Sequence, residues 1–177
     1  MGKRIRVWGA LVAVCVGLVS PPTGAETARA GLALAAAAAD VWAEDARLVW
    51  IENDTGIDAG GQADAWGYLY YSAGRHAMRS WSVRAGKIVH AEDHVVSAEA
   101  PAVEPDWLDS DAIVAAAHAA VGAEAVQAGA RLQSLLLVRG VFGAGTAWVA
   151  VFDVGPGPRL FLLLDAQDGD LTKRWRG

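Results

Sequence analysis

Cysteine is almost missing from the sequence: Cys15 is the single one, and it lies inside an apolar run near the start. An intrachain disulfide and a cysteine-based zinc site are therefore both excluded. Basic residues are in deficit too, with 15 Lys and Arg against 20 Asp and Glu and a formal net charge of −5. Beyond the first few residues no basic stretch has the clustering expected of a nucleic-acid surface, which excludes that function. Long hydrophobic runs are lacking as well. The run from Val7 to Val19 covers thirteen residues, short of the roughly 20 that a membrane-spanning helix needs. No G-x-S-x-G elbow is present, so serine hydrolysis has no sequence basis. Gly143-Ala144-Gly145 and Val154-Gly155-Pro156-Gly157-Pro158 connect expected strands rather than opening a helix, so neither suits a phosphate cradle.

What is present begins with an export signal. Lys3, Arg4 and Arg6 precede the apolar run, Ser20-Pro21-Pro22 break it, and Thr23-Gly24-Ala25 ends in the small residue that signal peptidase requires. This pattern places a signal peptide over residues 1–25, with cleavage after Ala30 (Ala28-Arg29-Ala30) as the alternative. Val12-Ala13-Val14-Cys15 is a poor lipoprotein box because apolar residues continue past the cysteine. Cleavage after Ala25 removes three positive charges and no negative ones, which takes the net charge from −5 to −8, 12 basic residues against 20 acidic. The mature chain is expected in the periplasm or outside the cell, without a membrane span. It has no cysteine left and must be held by its core alone. About 150 residues make one ordinary domain or two very small ones.

Matched segments recur along the chain. Ala46-Arg47-Leu48 corresponds to Ala130-Arg131-Leu132, Ala65-Trp66 to Ala147-Trp148, and the turn region 83–88 to 164–171, at offsets of 84, 82 and about 83 residues. Each copy starts with an alanine-rich helical stretch. The first is capped by Thr27 and runs through Leu32, Leu34, Ala38 and Trp42; the second has Asp109 or Ser110 as its cap and Gly122 at its end. Strands are expected over 46–53, 64–73, 77–84 and 87–92, and again over 131–139, 145–154, 159–165 and 170–175. The expected fold class is α+β: two tandem helix-plus-antiparallel-meander units, each helix packed across a sheet of three or four strands. Residues 26–96 form the first unit, 97–106 the proline-bearing linker, and 107–177 the second unit.

The second unit resembles the PepSY domain family. The resemblance rests on Trp148, Val151, Phe152, Leu164, Asp165, Ala166, Gly169 and Leu171, a strand followed by an acid, a small residue and a glycine turn into the last strand. It covers residues 107–176 well and the first unit only faintly. The likeness implies an extracytoplasmic, non-catalytic module that engages or inhibits a protein in the cell envelope, a protease or another envelope component. It implies no catalytic residue and no cofactor.

Three groups of residues invite a chemical reading. Trp66, Tyr68 and Tyr70 alternate onto one side of a strand, and Trp148 and Phe152 take the matching side of its counterpart. This set is either core beneath the helices or a concave aromatic face for a peptide or apolar ligand. His90, Glu92 and His94 share one side of a strand and are weak candidates for metal ligands, with no third or fourth partner in sight. They carry the alternative function, a periplasmic small-ligand or metal-binding carrier. Asp165, Asp168 and Asp170 surround Gly169. Their spacing fails that of a helix–loop–helix calcium site, and Asp168-Gly169 reads as a hairpin turn. Leu160 to Leu164 is apolar on both sides, as for a central strand or a subunit interface.

Overall fold

The computed structural model describes residues 24–95, 99–143 and 145–177. All but the last two residues of the expected signal peptide lie outside the described residues. Period-two alternation decides the strands. In β2 (Trp66–Ser72) the residues Trp66, Tyr68 and Tyr70 are buried while Gly67 and Leu69 lie half-exposed on the other side. The remaining strands are β1 (Arg47–Asn53), β3 (Ala77–Arg84), β4 (Lys87–Val95), β5 (Arg131–Arg139), β6 (Thr146–Asp153), β7 (Leu160–Asp165) and β8 (Leu171–Arg176). The helices are α1 (Leu32–Trp42), α2 (Ser110–Ala120) and a short α3 (Ala123–Gln127).

These strands do not form two sheets. One eight-stranded antiparallel sheet runs in the order β4-β3-β2-β1-β5-β6-β7-β8, which overturns the expected α+β arrangement of two helix-plus-meander units. The reason is the free edge that each meander would leave on its first strand. β1 and β5 pair with each other through Trp50↔Val138, Ile51↔Leu137 and Glu52↔Leu136, so the backbone groups of each satisfy those of the other. Strands dominate the fold, and the few helices are a thin layer on one side. The run Leu160–Leu164 is one strand in from the edge, not central.

The seam between β1 and β5 is short, and a side chain extends it. Asn53 Oδ1 accepts from the amide of Leu135 at 2.7 Å, and its Nδ2 donates to the Thr55 carbonyl at 2.6 Å. Asn53→Ala would leave partly buried backbone groups without these partners and is expected to cost about 1–3 kcal/mol. Chemical denaturation checks this, and a loss under 0.5 kcal/mol would show the three backbone pairs sufficient.

Both helices cover the same sheet face, α1 over β2 and β3 and α2 over β6 and β7. Asp109 caps α2 as expected, accepting from the Ser110 amide at 2.7 Å. The expected Thr27 cap does not form. α1 begins after Gly31, and the residues before it form a strap. Glu26 and Ala63 exchange backbone hydrogen bonds, the Trp66 indole donates to the Glu26 carbonyl at 2.8 Å, and the Tyr68 hydroxyl donates to the Ala28 carbonyl at 2.8 Å. The Ala28 amide donates to Ser110 Oγ at 3.0 Å, and that hydroxyl donates to the Gly61 carbonyl at 2.6 Å. Ser110 is fully buried, so the strap joins the two halves through one satisfied hydroxyl. The segment 99–106 is also held down: Val103 donates its amide to the Leu48 carbonyl, and Glu104 pairs with Arg139 at 2.9 Å.

Both sheet edges are interrupted. Register shifts mark β3/β4 between Ser82 and Val83 and β7/β8 between Leu163 and Leu164. β8 also carries Lys173, Arg174 and Arg176. Bulges and cations on edge strands oppose edge-to-edge pairing.

Candidate functional site

The five aromatics singled out from the sequence all point toward the helices. Trp66, Tyr68, Tyr70, Trp148 and Phe152 are each at most 5% exposed. Trp148 meets Trp107 edge-on at 5.8 Å and donates its indole N–H to the Leu108 carbonyl at 3.0 Å. Tyr70 meets Trp81 edge-on at 5.7 Å. They form the core between sheet and helices rather than a surface that a ligand can reach. The period-two pattern grouped them correctly onto one side of the strands and was silent on which side the helices cover.

Burial pushes the phenols of Tyr68 and Tyr70 up from their usual value near 10, and the negative charge of Asp40 adds to the effect on Tyr70. A raised folded-state pKa means a stability contribution complete below pH 10 and lost as pH climbs above it. Alkaline titration is thus expected to show ionisation of these two tyrosines, read at 295 nm, together with loss of far-UV circular dichroism. Their ionisation with the fold intact would contradict the burial.

His90, Glu92 and His94 share the opposite side of β4, facing away from the helices. His90 Nε2 lies 3.4 Å from Glu92 Oε2, and His94 Nε2 lies 2.8 Å from Ser80 Oγ. Among the described residues no group of three or more His, Cys, Asp or Glu side chains is placed to hold a metal ion. The Ser80–His94 pair has the distance of a nucleophile and base. Among the described residues, however, no carboxylate is hydrogen-bonded to His94, and an orienting acid is what such a dyad needs. In the β7–β8 turn, Asp165 Oδ1 accepts from the Gln167 amide at 2.8 Å and Asp168 Oδ1 from the Asp170 amide at 2.9 Å. Gly169 has a φ of 79°. These carboxylates close the hairpin, with their oxygens turned onto their own loop.

The surface that the sequence reading overlooked is the helix-free face of the sheet. The registers place on it Ser80 and Ser82 of β3, Gly67 and Leu69 of β2, Trp50 and Glu52 of β1, and then Leu136, Val138, Val149, Val151, Phe161, Leu163 and Trp175 of β5 to β8. Its two halves differ in character. The β1–β4 half holds a groove of about 430 Å³ lined by Trp50, Glu52, Asp54, Gly67, His90 and His94, with the two serines. The β5–β8 half holds a second hollow of about 380 Å³ lined almost wholly by apolar side chains, with Trp50 shared between the two. There Ala147, Val149, Val151 and Leu163 make a second apolar cluster, flanked by Leu136, Val138, Val141, Phe161 and Trp175. Among the described residues, no α-helix contributes to this cluster.

The β5–β6 connection raises an aromatic beside that hollow. Phe142 is 59% exposed and holds a φ of 53°, a left-handed conformation that is uncommon for a residue with a side chain. Its ring meets Trp175 edge-on at 5.0 Å, Trp175 stacks on Phe161 at 5.1 Å, and Lys173 Nζ lies 3.6 Å from the Phe142 ring centre. A signal for this face was present in sequence: β5 to β7 alternate apolar with apolar, whereas β3 alternates apolar with serine.

No family model matches the chain, and no curated protein or solved structure matches it either. Among the described residues no helix is long and apolar enough to cross a membrane.

Proposed function

We propose that this chain is an exported, non-enzymatic binding module that engages a protein partner of the cell envelope through the helix-free face of its sheet. The observation that carries the reading is the helix-free apolar half of that face, where half-buried Leu136, Val138, Phe161 and Trp175 flank a buried cluster and Phe142, 59% exposed, stands at the rim. An apolar hollow of about 380 Å³ with an exposed aromatic at its rim offers a partner side chain a place to dock. Aromatic side chains are the usual anchors of such contacts. The bulged edges support the face, rather than strand addition, as the route of contact. The motifs shared with PepSY domains and the export signal support the same class of function, with a protease or another envelope protein as the partner.

The test is selective capture. Immobilised protein is incubated with an envelope fraction, and Leu136→Arg on the open face is compared with Val41→Arg on α1, which is 89% exposed. Retention of the same protein by wild type and Val41→Arg, with loss in Leu136→Arg, is the expected result. Equal retention by both variants would sink the reading.

A further inference from the structure

The groove in the β1–β4 half has a glycine in its lining. β2 has Gly67 as its second residue, where β6, 82 positions on, has the buried Val149. Glycine inside a strand weakens it and marks a place of close approach. A Cβ at position 67 would come within 2.5 Å of Asp54 Oδ1, so the Asp54 carboxylate lies directly over the bare backbone. Glu52 is the cross-strand neighbour of Gly67, and Trp50 precedes it by one strand period. Among the described residues neither Glu52 nor Asp54 has an ion-pair partner. Trp50 likewise has no arginine or lysine over its ring among them, whereas Trp42, Trp81 and Trp107 each have an arginine there.

An indole face, two uncommitted carboxylates and two serine hydroxyls, with the imidazoles of His90 and His94 beside them, around about 430 Å³ complement a compact organic cation bearing N–H donors. We infer that this groove receives the alkylammonium or guanidinium end of a lysine or arginine side chain of the docked partner. The inference rests on the docking reading: the apolar half anchors the partner, and the groove fixes which way round it sits. Charged contacts at such a site set orientation and selectivity more than raw affinity.

Titration of the ¹⁵N-labelled protein with N-acetyl-lysine methylamide, and separately with the neutral isostere N-acetyl-norleucine methylamide, tests this. The lysine compound is expected to shift the amides of Trp50, Gly67 and Ser82 and to bind at least about tenfold more tightly than its isostere. Glu52→Gln is expected to shrink that difference and Glu52→Gln with Asp54→Asn to remove it, the rest of the spectrum staying in place. Gly67→Val, which restores the β6 residue, is expected to abolish binding. Equal binding of the two compounds, or lysine preference that survives the double substitution, overturns the assignment and leaves the docking face standing. Lysine binding in a protein that captures no partner through Leu136 overturns the assignment to a partner side chain, and the docking reading with it.

Discussion

Trp148→Ala is expected to lower the free energy of unfolding by about 3–5 kcal/mol, out of a total that for a domain of this size is about 5–15 kcal/mol. The indole is fully buried on the helix side of β6. Its removal opens a cavity beneath α2, breaks the edge-on contact with Trp107 and leaves the Leu108 carbonyl without its donor. Its counterpart 82 residues earlier, Trp66, donates to the Glu26 carbonyl in the same manner. The two halves share one sheet through the β1–β5 seam, so the loss is not confined to the second half. Urea unfolding of Trp148→Ala should remain a single transition with an unchanged slope and a lower midpoint. Hydrogen exchange in β2 and β3 should accelerate along with that in β6 and β7. Two separate transitions, with the first half unaffected, would contradict the continuous sheet.

Leu136→Arg is expected to weaken partner binding by roughly 30-fold or more while leaving the melting temperature within about 3 °C of wild type. Leu136 is half-buried at the middle of the open face, next to Val149 of β6 and opposite Glu52 across the seam. In the free protein the arginine stem can lie along the sheet with its guanidinium in water. Once a partner covers the face, that charge is enclosed by Val138, Val149 and their neighbours, and its desolvation opposes binding. Val41 projects from α1 on the other side of the sheet, so Val41→Arg is expected to change affinity by less than about twofold. Titration calorimetry with the captured partner gives both values.

Much of the strand placement was legible because alternation and turn chemistry are local. The expected ranges match the strands to within three residues; β3 at 77–84 and β5 at 131–139 coincide with them. The Ala85-Gly86 turn between β3 and β4 was equally local, and both residues adopt positive φ as a tight hairpin requires. The union of two meanders into one sheet was not legible. It depends on which free edges meet, and no residue pattern within β1 or β5 announces the other as its partner. The strap at Glu26–Gly31 was hidden for a similar reason, since the acceptors it offers are backbone carbonyls without side-chain identity. The site was half legible. Trp66, Tyr68 and Tyr70 declared a face, but the opposite face declared itself only through its contrasts: Gly67 against Val149, and the serines of β3 against the apolar residues of β5 to β7.

The most direct test places a photo-reactive amino acid at Leu136 or Trp175 on the open face, and at Val41 or Ala119 as controls on α1 and α2, in protein expressed in its own host. Irradiation is expected to yield the same covalent protein adduct from both open-face positions and none from the controls. Adducts from Val41 in place of Leu136 and Trp175, or no adduct from any position, would contradict docking through the helix-free face.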